Sequence, residues 1–306
     1  LLETFVKGTI VGHLVGDALG YPWQNTDPEK IPNQIAMIAG PGGEAPGEYT
    51  SLGAFTLATI DSLNQCGELN PEHLMEQFYE VYVGGHLTPN ENCYDVGNTT
   101  SQAINNYANG MTVDRCGIDA PDNDADCLGR ILPVALYFCA EATDILLSKI
   151  HDACEITHRD ISSIVTCQAY GLLIQNLLLQ RAEKVFDILL DYYQSMNEPA
   201  HEIDATPYLS VVHELKNHSG AGSVENVFWT AWQSFSKYEN SYFFSVTDAI
   251  KQGGDTNATG AVTGSFAAVK NGLNDIPADW LRTIQLSSEA MQVIMKFVDN
   301  ILLKLT

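Results

Sequence analysis

A chain of 306 residues with 45% hydrophobic side chains and only 12 prolines has the makeup of a globular protein that buries a sizeable core. Its 38 acidic residues face 15 lysines and arginines, a formal net charge of -23, which excludes nucleic-acid phosphates and anionic membrane surfaces as natural partners. No apolar run approaches the roughly 18 residues needed to span a bilayer, so no membrane anchor is expected. Leu1 stands where an initiator methionine is expected, so the chain is expected to have lost preceding residues, a leader peptide among the options. The cysteines Cys66, Cys93, Cys116, Cys127, Cys139, Cys154 and Cys167 are odd in number and form no CxxC pair. Neither zinc nor a disulfide framework is suggested, and the thiols read as buried groups in a reducing, cytoplasmic compartment.

In chain order, the first element is GTIVGHLVGDALGYP, where Gly8, Gly12, Gly16 and Gly20 recur every four positions and line one helical face. Each glycine costs about 1 kcal/mol relative to alanine, so something must approach that face closely. Helical periodicity then covers about 53–65, 71–83, 98–109, 127–153, 160–180, 182–196, 222–236 and 257–271. Gly260, Gly264 and Ala268 in the last of these make a second small-residue stripe. Packing the two stripes together would bring Asp17 and Asp255 into one region. The chain closes with Ala290, Val293, Ile294, Phe297, Val298, Ile301 and Leu302 at helical spacing, behind Ser287 or Ser288 as cap. Convincing two-residue alternation bounded by turns is missing, so the fold is expected to be all-α. The segments within 127–180 are apolar on more than one face, as in the centre of a bundle, and no Pro/Ser-rich linker divides the chain, which predicts one domain over 1–306.

Several common sites are absent. The stretch GPGGEAPGEYTS at 40–51 lacks the lysine of a phosphate-binding loop, His201-Glu202 lacks a second histidine at zinc-protease spacing, and no GxSxG elbow occurs. What remains are polar segments that start helices: GDALGYPWQ at 16–24, EYTSLGAFTLA at 48–58, YDVGNTTSQAI at 94–104, ITHRDISSIVTCQAY at 156–170 and GGDTNATGAVTG at 253–264.

In this order, the segments resemble the ADP-ribosylglycohydrolase superfamily, including the dinitrogenase-reductase-activating glycohydrolases and the J-type lens crystallins of jellyfish, over about residues 5–285. The resemblance implies an orthogonal multi-helix bundle with a central cleft. Active members hold two divalent cations there, magnesium or manganese, beside ADP-ribose, and cleave its bond to an arginine, a serine or another acceptor. Two such cations about 3.5–4 Å apart need several carboxylates around them.

The resemblance maps the first metal cluster, Thr-Asp-Asp in active relatives, onto Thr50, Ser51 and Leu52, where both acids are gone. It maps the second, Asp-Thr-Asp-Thr, onto Asp255, Thr256, Asn257 and Ala258, where one acid survives. A glutamate that often follows the GDALG segment is Gln24, and the loop DNDADCLGR at 122–130 keeps only Arg130 of the family pattern. The expectation is a retained fold with an abandoned metal site, a non-enzymatic soluble protein such as a J-type lens crystallin, with no cofactor. An alternative is a surviving hydrolase that works through Asp255 and Asp95 with magnesium or manganese, with Glu44 or Glu48 swung in as substitute ligands. A third is a non-catalytic ADP-ribose binder. For that ligand the resemblance points to Asp95, to the helix start at Gly97, Asn98 and Thr99, and to Ser219 and Gly220. Asp95 and Asn98 can equally cap that helix, and the pair Thr157 and His158 reads as a packing element before a catalytic one.

Overall fold

The computed structural model describes residues 2–119, 124–196, 204–218 and 223–305. The helices are α1 (Leu2–Gly20), α2 (Ser51–Cys66), α3 (Pro71–Gly84), α4 (Asn98–Ala108), α5 (Val113–Cys116), α6 (Asp126–Tyr137), α7 (Thr143–Glu155), α8 (Ile161–Leu178), α9 (Val185–Met196), α10 (Thr206–Lys216), α11 (Ser223–Lys237), α12 (Tyr242–Ile250), α13 (Thr256–Asn271), α14 (Ala278–Thr283) and α15 (Ser288–Leu305). Among the described residues, the only β-type pairing is one parallel bridge between Ile118 and His158. The molecule is an all-α bundle, as the periodicity predicts.

Side chains at the helix starts supply acceptors for N–H groups that the helix itself leaves unpaired. Thr50 accepts from Leu52 N–H at the head of α2, Asn70 from His73 N–H before α3, and Asp160 from Ser163 N–H before α8. Ser287 is the cap of α15, its Oγ accepting from Ala290 N–H at 3.0 Å. The expected single run at 127–153 is two helices, α6 and α7, separated by a turn at 138–142. Both present apolar faces to one core, so the hydrophobic pattern carries across a turn that neither glycine nor proline marks. Helices α5, α10, α12 and α14 escape the periodicity reading altogether; α5 spans only four residues, Val113–Cys116, and α14 six, Ala278–Thr283.

The α1 and α13 stripes meet as the sequence suggests. A Cβ on Gly16 would strike the Gly260 carbonyl, one on Gly260 would strike the Gly16 carbonyl, and one on Gly20 would strike Thr256. The backbones therefore touch, and Thr256 Oγ1 donates to the Gly20 carbonyl at 2.8 Å, pinning the end of α1 to the start of α13. His13 ties three helices together from inside, its Nδ1 paired with Ser265 Oγ at 3.0 Å and its Nε2 with Thr56 Oγ1 at 3.1 Å. Burial pushes this imidazole down to about 3, so it stays neutral. Helix α8 has the length and mean hydropathy of a membrane span, but 83% of that window is buried against other helices, which marks a core helix.

Candidate functional site

Helix starts build the cleft. Two consecutive glycines in the left-handed region, Gly253 at φ 75° and Gly254 at φ 74°, turn the chain into Asp255 and α13. The neighbouring walls are the end of α1, the head of α2 and the turn that leads into α4.

Asp17, fully buried near the end of α1, accepts from Thr50 N–H at 3.0 Å, Thr50 Oγ1 at 2.9 Å and Gly53 N–H at 3.0 Å. Its role is to fasten α1 to the N-terminus of α2. Burial outweighs these donors and pushes its carboxyl up to about 7. Thr50 is thus committed as donor to Asp17 and as cap to Leu52 N–H. Ser51 Oγ donates to the Asp95 carbonyl at 2.8 Å, and Leu52 is packed in the core.

Asp95 sits in the left-handed region at φ 59°, a conformation that a side chain disfavours. Its Oδ2 accepts from Asn257 Nδ2 at 3.0 Å and from Gln24 Nε2 at 3.3 Å. Asn257 Nδ2 also reaches Thr50 Oγ1 at 3.4 Å, so one amide bridges the two halves of the cleft. The carboxylate of Asp95 fixes the orientation of that amide, because the flipped form would set oxygen against oxygen. Burial pushes Asp95 up, opposed by its two amide donors. It pushes Asp255 up to about 6, with the charge of Asp95 adding to the effect.

Asp124 and Asp126 also belong to this cleft, and sequence reasoning missed them. Gly97 N–H donates to Asp126 Oδ2 at 2.7 Å and Thr99 N–H to Asp124 Oδ2 at 2.9 Å. The start of α4, expected to offer free N–H groups to a phosphate, is therefore partly taken by two carboxylates of the chain itself. The cap residue of α4 is Gly97, not Asp95 or Asn98, and Asn98 is exposed. The signal was present in the acids of DNDADCLGR, but that loop departs from the family pattern and gave nothing to align.

Behind Asp124 runs a buried chain of polar groups. Asp124 Oδ1 pairs with His158 Nε2 at 2.8 Å, His158 Nδ1 with Thr157 Oγ1 at 2.8 Å, and Arg130 contacts Thr157 and, at 3.0 Å, Thr100 Oγ1. The pair holds Asp124 down against the effect of burial, while His158 is held up despite its own burial. Burial and the adjacent Asp124 charge push Asp126 well up. Thr157 and His158 thus lock α4, α6 and the loop before α8 together, the structural of the two roles expected for them.

The donor set does not suit a pair of divalent cations. Leu52 and Ala258 carry no ligand atom, and the Thr50 hydroxyl is turned to Asp17. Asn257 turns its Nδ2 to Asp95 and Thr50, and its Oδ1 is buried without a hydrogen-bond partner, a single neutral oxygen in place of a carboxylate. Among the described residues, no three carboxylates come within ligand reach of one another; the one such grouping of ligand-type atoms consists of thiols. Glu44 and Glu48 do not compensate. Glu44 accepts from Gly42 N–H in its own loop at 2.9 Å, and Glu48 accepts from Asn90 Nδ2 at 2.9 Å. Ser219 and Gly220 lie outside the described residues.

The model of the ADP-ribosylglycohydrolase family matches residues 2–305. The chain is 26% identical over 307 residues to the ADP-ribosyl-[dinitrogen reductase] glycohydrolase of Rhodospirillum rubrum, an alignment that covers 96% of this chain and 94% of the relative. It is 24% identical over 279 residues to the ADP-ribosylarginine hydrolase Tri1 of Serratia proteamaculans, covering 90% of this chain and 74% of that one. A solved structure described as an ADP-ribosylglycohydrolase-related protein complex superposes with a TM-score of 0.75 at 22% identity, covering 98% of both chains.

Proposed function

The chain belongs to the ADP-ribosylglycohydrolase family, and we propose that this member has lost the two-cation hydrolytic centre and serves as a non-enzymatic soluble protein. A J-type eye-lens crystallin is its most concrete identity. One observation carries the loss of hydrolysis: the Asn257 amide donates to Asp95 and Thr50 across the position where relatives need anionic ligands. In this reading amide donors from Asn257 and Gln24 serve Asp95 in place of a cation, and burial, with the neighbouring acids adding to it, raises the proton affinities of Asp255 and Asp126. The crystallin reading is supported by the emptied ligand positions together with a net charge of -23, which favours solubility and mutual repulsion at high concentration.

Incubation of the purified chain with ADP-ribosyl-arginine and magnesium or manganese tests the first part. No free ADP-ribose is expected above the uncatalysed level, and turnover abolished by Asp255→Ala would overturn the reading. Transcript enriched in an eye is expected for the crystallin, and even expression across tissues would remove that identity.

A specific observation favours keeping the hydrolase alternative in the test. Asp255 feels the charges of Asp95 and Asp124, and Asp126 feels that of Asp255, so acids still converge on the cleft. A binder of ADP-ribose would meet the same acids at the start of α4, the place the resemblance gives for that ligand, where Asp124 and Asp126 already accept from Thr99 and Gly97 N–H. Calorimetry with ADP-ribose, with and without magnesium, is expected to give no heat of binding at micromolar chain.

A further inference from the structure

Three cysteines that the cleft does not use converge from three different helices. Cys127 on α6, Cys154 on α7 and Cys167 on α8 are fully buried, and their Sγ atoms all lie within 4.8 Å of one another. All three are free thiols. Their sequence separations give no hint of this, and it arises where α6, α7 and α8 pack. Gly171, one turn beyond Cys167, leaves room for Ile150, one turn before Cys154; a Cβ there would strike the Ile150 side chain. The close approach of α7 to α8 at that point brings the two sulfurs together, and Cys127 faces them from α6.

From this geometry we propose that Cys127, Cys154 and Cys167 form a buried site for a soft, three-coordinate cation of the Cu(I) class. The centre of a triangle with such edges is at most about 2.8 Å from each corner, and drawing the edges in to about 4 Å gives the metal–thiolate distance of about 2.3 Å. Side-chain rotation alone covers that difference. Three thiolates and no oxygen donor select a soft ion. Zinc in a closed site asks for a fourth ligand, and the neighbouring imidazole is already committed, His158 Nδ1 to Thr157 and Nε2 to Asp124.

Burial is the largest influence on these thiols and holds Cys127 up to about 12 and Cys167 well up, so the metal must displace their protons, as soft cations do on binding thiolates. Binding of one Cu(I) displaces three S–H protons to solvent and leaves a tris-thiolate complex of net charge 2-. The Arg130 charge acts favourably on a Cys154 thiolate and the His158 charge on a Cys127 thiolate, with Asp160 opposing. The Cys154 thiol donates to the His158 carbonyl at 3.5 Å, and an S–H donor is weak, so the bond costs little to give up.

The test is an anaerobic titration of the full chain with Cu(I) held by bathocuproine disulfonate as competitor, followed by X-ray absorption at the copper edge. One equivalent of Cu(I) withdrawn per chain, with three sulfur neighbours and no nitrogen or oxygen, is the expected result. Cys127→Ser, Cys154→Ser and Cys167→Ser should each lose that equivalent, whereas Cys66→Ser and Cys93→Ser should keep it. Circular dichroism checks that the variants fold, and the sulfur count on the unaltered chain stands even if one of them does not. The proposal is overturned by an unaltered chain that withdraws no copper, by uptake that survives in a folded Cys167→Ser, or by a coordination shell with fewer than three sulfurs.

Discussion

Asn257 donates through Nδ2 to the Asp95 carboxylate at 3.0 Å, joining the first turn of α13 to the strained turn before α4. The amide gives a half-buried carboxylate a hydrogen-bond donor where other acids, Asp17 and Asp255 among them, feel its charge. Asn257→Asp replaces that donor with a second acid facing the first. The variant is expected to lose about 1–3 kcal/mol of stability in urea unfolding at pH 7.5. Added with Ser51→Asp, Leu52→Asp and Ala258→Thr, it should instead respond to millimolar magnesium or manganese by a rise in Tm, because a ligand that binds only the folded chain stabilises it. The unaltered chain should show no such rise.

The touching backbones of α1 and α13 make a second prediction. Gly16→Ala adds a methyl group where the Gly260 carbonyl already lies, and neither backbone can yield without breaking helical hydrogen bonds. We expect a loss of about 3 kcal/mol, at the upper end for overpacking, although alanine is the better helix former. Gly67→Ala tests the contrast. Its added methyl group meets open space, and its cost comes only from the left-handed φ of 72° that ends α2, so it should lose about 1 kcal/mol.

His158 and Asp124 form a pair in which the imidazole is fully buried. Removing one partner leaves the other without its counter-charge, so Asp124→Ala or His158→Ala should each cost about 3 kcal/mol or more in denaturant. The double variant should cost less than the two single losses added together, which a double-mutant cycle measures directly.

The crowded acids set a pH dependence. Asp17 and Asp255 bind protons more tightly in the folded chain than in the unfolded one, with folded values raised to about 7 and about 6. Their contribution is fully present below about pH 4 and is lost as pH rises through those values. Together they should lower the unfolding free energy by about 4 kcal/mol between about pH 5 and pH 7.5. His13, held down to about 3 in the folded chain, opposes this by about 2 kcal/mol up to about pH 6.5, so a net fall of about 2 kcal/mol is expected. Asp255→Asn should flatten the lower part of that decline. Asp124 acts in the opposite sense, since its pair with His158 holds it down, and it takes stability away only at much lower pH.

The expected helices about 53–65, 71–83 and 257–271 agree with α2, α3 and α13 to within two residues at each end. Their apolar faces repeat cleanly, and caps such as Thr50 and Asn70 stand at their starts. The break between α6 and α7 was invisible because both helices feed the same core and the turn at 138–142 contains no glycine or proline. The expected ligand positions Ser51, Leu52, Asn257 and Ala258 came from the resemblance alone. That Asp124 and Asp126 occupy the head of α4 was not legible, because residues 25 to 29 positions away become partners only when the start of α6 and the loop before it reach that helix end.

The sequence by itself determined the helical class and the close contact of α1 with α13, since both are written in local periodicity and in small residues spaced four apart. It also determined that Ser51, Leu52, Asn257 and Ala258 carry no carboxylate, since that is a matter of residue identity. Only the tertiary structure decided that Asn257 turns its amide to Asp95, and only it gathered Cys127, Cys154 and Cys167 around one point. Hydrogen bonds and thiol contacts depend on distances of a few ångströms between residues far apart in the chain, and packing of the helices sets those distances.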